Sequence, residues 1–223
     1  MNRFLTLLAF LVLASSAFAS STTCLAPGTA YALYMGGFSC VSGNLLFNGF
    51  DLQVNVPGSP DKNNVFVTPE LTTGNEGFTF RGNWAGNMDT SLTFTVTALV
   101  GSITDVHLTM TGGSFGTGSF ANVSESICRD GMLETCVPPT GGTPGSLIVP
   151  NSMSPISDAI FFSGAHSVQV SKDISVFAGP NGGANISVVT NTYSQGDIPE
   201  PLSLALFGSG LVALGLMRKR AKR

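Results

Sequence analysis

Ser91 to Leu99 reads SLTFTVTAL. Leu92, Phe94, Val96 and Ala98 share one parity, and Thr93, Thr95 and Thr97 share the other. Successive side chains of a β-strand point to opposite faces, so this stretch is a strand with one apolar and one hydroxyl-bearing face. Threonine suits a half-exposed pleated position; the outward row is also a candidate flat array facing a glycan or ice. The same period recurs on both sides. FDLQVNV (50–56) sets Phe50, Leu52, Val54 and Val56 on one face, and DVHLTMT (105–111) turns Val106, Leu108 and Met110 inward. SVQVSKDISVF (167–177) aligns Val168, Val170, Ile174 and Val176, with Lys172 interrupting their face, and ANISVVTNTYS (184–194) is a last long strand.

Shorter strands are expected at Val65–Thr68, Phe78–Arg81, Ser119–Ile127, Leu147–Val149 and Asp158–Phe162. Turns separate them at Pro57-Gly58, Gly74-Asn75, Gly112-Gly113, Pro138-Pro139, Gly141-Gly142 and Asn181-Gly182-Gly183, and Pro138 to Pro150 reads as a loop. About ten such strands, apolar on one face, predict an all-β fold: an antiparallel two-sheet β-sandwich. The only helical stretch in the body is Ala30 to Met35, and no repeat of solenoid length is present.

A chain of 223 residues holds one domain plus targeting segments. Charged residues make up 10%, against about 25% in ordinary globular proteins, while 16 phenylalanines supply a core. The net charge of −3 conceals an asymmetry. Between Ser20 and Asp197 the body has four cations, Lys62, Arg81, Arg129 and Lys172, against twelve acids, a net charge of −8. Such a body cannot neutralise phosphates, which excludes nucleic acid as a partner.

Both ends read as addresses. MNRFLTLLAFLVLASSAFAS has Arg3, an apolar run from Phe4 to Ala14, and Ala17-Phe18-Ala19, so residues 1–19 form a secretory signal cut after Ala19. Residues 20–197 are then the extracytoplasmic domain. In segment 198–223, Leu202 to Met217 carries no charge and is expected to be one C-terminal transmembrane helix about 24 Å long. Arg218, Lys219, Arg220, Lys222 and Arg223 follow as a basic stop; they snorkel and remain on the cytoplasmic side, leaving the acidic body outside.

Pro199-Glu200-Pro201, the apolar helix and the terminal cations, in that order, resemble the PEP-CTERM sorting signal, a tail also labelled an ice-binding protein C-terminal domain. The resemblance implies an exosortase substrate, processed by that membrane transpeptidase near the tripeptide. It implies an inner-membrane anchor first, then a cell-surface or secreted form, in a setting of exopolysaccharide. Ser171 to Gln195 looks similar to the small secreted bodies that carry such tails, which brings no known activity.

Four cysteines, Cys24, Cys40, Cys128 and Cys136, lie in the exported part, where an even count favours disulfides. The local pairing, Cys24–Cys40 and Cys128–Cys136, is the expected one. The spacings do not suit zinc, no calcium loop is present, and no metal or cofactor is expected.

Signs of chemistry are sparse. Gly112 to Gly116 reads GGSFG and matches G-x-S-x-G, with Asp158 and His166 following in triad order. A nucleophile elbow needs a strand-turn-helix, whereas a Gly/Ser hairpin turn suits this context. The dinucleotide-like GTGSFA (116–121) has no βαβ unit around it. His107 reads as a surface residue beside Asp105. Trp84, within RGNWAGN, is the single tryptophan. It either closes one end of the sandwich core or stacks on a sugar. The expected function is therefore a non-catalytic, exported surface or matrix protein. The alternative is a carbohydrate-binding module centred on Trp84, and a secreted hydrolase ranks third.

Overall fold

In the computed structural model, which describes residues 22–72, 74–136, 141–150 and 156–196, the alternation in Ser91–Leu99 has its expected consequence. Leu92, Phe94, Val96 and Ala98 are buried, and the intervening threonines are half-buried. In chain order the strands are β1 (Thr29–Ala30), β2 (Cys40–Ser42), β3 (Leu45–Val54), β4 (Phe66–Thr72), β5 (Asn75–Ala85) and β6 (Met88–Ala98). There follow β7 (Ser102–Phe115), β8 (Phe120–Arg129), β9 (Thr143–Pro150), β10 (Ser157–Ala165), β11 (Ser167–Phe177) and β12 (Gly183–Gly196). They form two six-stranded sheets, ordered β1-β4-β5-β12-β7-β10 and β2-β3-β6-β11-β8-β9. All pairs between named strands are antiparallel, as the sandwich reading requires. The short helical expectation at Ala30–Met35 becomes a single 3-10 turn, Tyr31–Leu33.

The inner faces meet in an aromatic core. Phe50, Phe78, Phe80 and Phe94 pack with ring centroids 5.8–6.3 Å apart, and Phe47 lies 4.5 Å from Phe78. Tyr31 is buried with them, its hydroxyl 3.0 Å from the carbonyls of Asp51 and Thr93. Rings at these separations add to the area that they bury.

Both disulfides have the expected local pairing, Cys24–Cys40 with Cα atoms 4.7 Å apart and Cys128–Cys136 at 5.8 Å. On the loop-entropy scale they contribute about 3 and about 2.5 kcal/mol by restricting the unfolded chain.

Three expectations need correction. Gly112-Gly113 is not a turn but lies inside β7. A Cβ on Gly112 would stand 2.3 Å from the Asn185 carbonyl oxygen, so glycine is there for close strand approach. The expected loop Pro138–Pro150 ends in β9, whose Pro144 and Pro150 are tolerated because β9 is an edge strand. Residues 137–140 lie outside the described residues. Thirdly, Val54 and Val56 are 42% and 37% exposed rather than inward. A bulge between Asn48 and Asp51 interrupts the register of β3 with β6, and the chain then leaves the sheet after Val54.

Lys172 does point into the core, and it is fully buried. It pairs there with Glu125, its cross-strand neighbour in the β11–β8 register and likewise buried. Thr93, Thr95 and Thr97 lie on the outer face of the second sheet beside Ser171, Gln169 and Ser167, so the threonine row is one strand wide.

The signal sequence, the Pro199-Glu200-Pro201 tail, its helix and its cations all lie outside the described residues. Among the described residues, no helix is long and apolar enough to cross a membrane.

Candidate functional site

Arg81 and Asn83 are exposed and Trp84 is buried. Alternation along β5 sets these directions, and the ladder beside it carries a misfit. Arg81 pairs with Val188 of β12, and Trp84 pairs with Ile186, so three steps along β5 match two along β12. β7 takes one step over the same interval, from Thr111 to Gly112. The first sheet is thus bulged twice around Gly82, Asn83 and Ser187. A bulge bends its strand and re-aims side chains, which is why bulges recur at functional sites.

An open groove of about 640 Å³ lies over this bulge. Gly82, Asn83, Ser187 and Val188 line it from the bulged strands, Phe66 and Arg81 from the adjoining β4–β5 pair, and Met88 from β6. The segment after β3 supplies the other wall, with Gly58, Ser59, Pro60 and Asn64. The volume is within the ordinary range for ligand sites.

That wall is pinned. The Asp89 amide donates to Ser59 Oγ at 2.8 Å, and the Thr90 hydroxyl donates to the Pro60 carbonyl at 3.1 Å. Asp61 Oδ1 accepts the Asn63 and Asn64 amides at 2.9 and 3.2 Å and Asn64 Nδ2 at 2.8 Å. These donors, the Asn63 amide foremost, favour the ionised carboxylate and hold Asp61 below the usual range. A wall fixed in advance loses little entropy when a ligand arrives.

Phe66 stands directly opposite Arg81 in the β4–β5 register and is 42% exposed. The groove thus offers one aromatic face, one guanidinium, two side-chain amides and two hydroxyls. Among the described residues its lining contains no Asp, Glu, His, Lys or Cys. It has hydrogen-bonding and stacking capacity, with no carboxylate or imidazole to move a proton.

Trp84 has no exposed surface, so of its two readings the core role holds and the alternative of a sugar contact through its ring does not. Its benzo edge lies where a Gly82 Cβ would be, within 2.6 Å of two ring carbons. Glycine at 82 therefore makes room for the indole beneath the groove.

The triad in chain order does not assemble. Ile103, at one end of β7, pairs with Ala165, the residue before His166, while Ser114 is eleven residues further along the strand, about 36 Å away. GGSFG runs strand–turn–strand, and the Ser114 hydroxyl donates across that turn to the Ser119 carbonyl at 3.2 Å. His107 does meet Asp105, at 3.4 Å, with the Phe161 ring edge-on to it at 5.5 Å. Among the described residues no cluster suited to a metal ion is present.

Sequence reasoning missed Phe66, Arg81, Asn83, Asn64 and Ser187. Parity within RGNWAGN held a signal for two of them: if Trp84 points inward, Arg81 and Asn83 point out.

No protein-family model matches the sequence, and no curated protein matches it. Solved structures with some similarity include TmCBM61 in complex with beta-1,4-galactotriose, at 13% identity and a TM-score of 0.34, covering 64% of this chain and 86% of that one. Another is the Gap123 glycosylation-associated protein complex from Streptococcus agalactiae, at 10% identity and 0.28, covering 64% of this chain and 24% of that one. A third is the low-affinity xylan-binding module CBM86 from Roseburia intestinalis, at 10% and 0.24, covering 66% and 97%.

Proposed function

We propose that this protein is an exported, non-catalytic carbohydrate-binding β-sandwich whose sugar contact is the Phe66–Arg81 groove. The observation that carries the reading is the pairing of an exposed ring with hydrogen-bonding side chains in one preformed groove. The C–H face of a pyranose rests on the electron-rich face of an aromatic ring, while its hydroxyls exchange hydrogen bonds with amides, hydroxyls and guanidinium. A carboxylate-free lining supports binding over hydrolysis, because glycosidases work with two flanking carboxyl groups.

The test is a glycan array followed by affinity electrophoresis on the hits. Phe66→Ala is expected to weaken binding about tenfold or more, as the loss of one stacking contact should. Phe66 is 42% exposed and lies outside the buried core, so the variant should melt close to wild type. Equal binding by both proteins would remove the groove from the reading. Negligible binding by wild type across the array would favour a purely structural matrix protein.

Export and sorting complete the proposal. Two disulfides accord with an oxidising compartment. The Pro199-Glu200-Pro201 tail, through its resemblance to PEP-CTERM signals, proposes an exosortase-like partner, passage through the inner membrane and release among exopolysaccharide. Glu200→Ala leaves the apolar run and cations intact. In the native host this variant should insert yet accumulate as the full-length membrane form on an immunoblot. Maturation at the normal rate would reduce the tail to a plain anchor.

A further inference from the structure

We infer that the groove selects an acidic saccharide, a sugar bearing a carboxylate, with Arg81 as the group that recognises it. This rests on the carbohydrate-binding reading above and names the class of sugar.

Of the body's four cations, Lys62 is exposed on the segment after β3 and does not line the groove. Lys172 is buried against Glu125. Arg129 lies over the Phe162 ring, its guanidinium carbon 4.8 Å from the centroid. Arg81 is exposed and lines the groove, and among the described residues it has no carboxylate at ion-pairing distance.

The neighbouring acids already have partners. Glu70, four residue pairs along β4, accepts the Thr79 hydroxyl at 2.6 Å. Asp61 is bound within its own turn, and Asp89 Oδ1 accepts Asn55 Nδ2 at 2.6 Å. A body with net charge −8 therefore presents, in its groove, a guanidinium without a counter-charge. Repulsion from the rest of the body is short-ranged, because the screening length is about 8 Å at physiological ionic strength.

Geometry adds the sugar. Phe66 and Arg81 are direct cross-strand neighbours on one face, where Cβ atoms stand about 4.5–5.5 Å apart. A uronic acid carries its carboxylate on the rim of the pyranose ring. With that ring on Phe66, the carboxylate reaches the fork of Arg81, whose planar donors match it two to two. Asn83 faces the hydroxyls, joined by Asn64 Oδ1 and by the Ser187 hydroxyl as an acceptor, since Asn64 Nδ2 donates to Asp61 at 2.8 Å and the Ser187 hydroxyl to the Thr111 carbonyl at 3.2 Å.

Polygalacturonate and alginate, each compared with its carboxyl-reduced neutral form and with dextran sulfate, provide the test by isothermal titration calorimetry. Wild type should bind a polyuronate about ten- to a hundredfold more tightly than its reduced form, the range for a charge-assisted bidentate contact. Arg81→Gln should erase that difference, so that the charged and reduced polymers bind this variant alike. Arg81→Lys should restore only part of it, since an ammonium lacks the fork. Preference for dextran sulfate over both polyuronates would overturn the assignment of a carboxylate. Equal binding of charged and reduced polymers, or an Arg81→Gln variant that keeps the preference, would overturn the inference while the carbohydrate reading survived. Binding of none of these polymers or of any array glycan would overturn both.

Discussion

Lys172→Met is expected to destabilise the folded protein by about 3–5 kcal/mol, although methionine is the more apolar residue. The cause lies in what the lysine leaves behind. Glu125 is buried with it, and its other carboxylate oxygen accepts Asn191 Nδ2 at 3.2 Å. The same Asn191 nitrogen donates to the His107 carbonyl at 3.0 Å, and the Tyr193 hydroxyl donates to Asn191 Oδ1 at 2.6 Å. This chain of polar groups links β8 and β11 of one sheet to β12 of the other, inside an apolar core. Burial pulls the Lys172 ammonium below its usual range, with Glu125 opposing that shift. Burial, reinforced by the Glu125 charge, pushes the Tyr193 phenol well above its usual value.

Removing the lysine leaves a carboxylate with neither water nor a cation. Removing both charges does not: Lys172→Met with Glu125→Leu keeps the Asn191 contacts to His107 and Tyr193. This double variant should return to within about 1–2 kcal/mol of wild type, as replacement of a buried pair by apolar residues commonly does. Urea unfolding followed by Trp84 fluorescence measures all three proteins. A single variant within 1 kcal/mol of wild type, or a double variant as unstable as the single, contradicts this account.

Trp84→Ala should cost about 3–5 kcal/mol, the usual loss for truncating a buried tryptophan. The ring fills space that Gly82 leaves open, and alanine cannot refill it. The indole Nε1 is buried without a hydrogen-bond partner among the described residues, so Trp84→Phe sheds an unsatisfied donor along with some volume. Its cost should stay below about 2 kcal/mol. Far-UV circular dichroism during urea unfolding reads both variants, since the fluorophore is gone. If Trp84→Ala unfolds at the wild-type midpoint, the packing beneath the groove is wrong. A loss of sugar binding in Trp84→Ala would report a weakened scaffold, which is why Phe66 and Arg81 are the residues to test.

Several elements were legible because their cause is local. Alternation in SLTFTVTAL decides which face of β6 is buried whatever strand lies beside it. Lys172 is visibly on the apolar face of its strand, since its neighbours at two-residue spacing are Val168, Val170, Ile174 and Val176. Spacings of 16 and 8 residues favour local disulfides, because short loops close readily. The prolines of β9 misled, since their tolerance depends on the edge position and nothing in PGSLIVP marks an edge.

The groove belongs to the other class. Period 2 in each strand determined an all-β chain, its inward residues and the polarity of its outer faces. Only tertiary pairing decided that β5 lies beside β12, about a hundred residues away, with one residue too many between Arg81 and Trp84. That mismatch, together with the wall after Val54 that hydrogen-bonds to β6, brings Phe66, Arg81, Asn64 and Ser187 into one groove. The same holds for Glu125, chosen as the partner of Lys172 by the β8–β11 register. A strand's own residues set which way each side chain points, whereas its neighbours and their register set what that side chain meets.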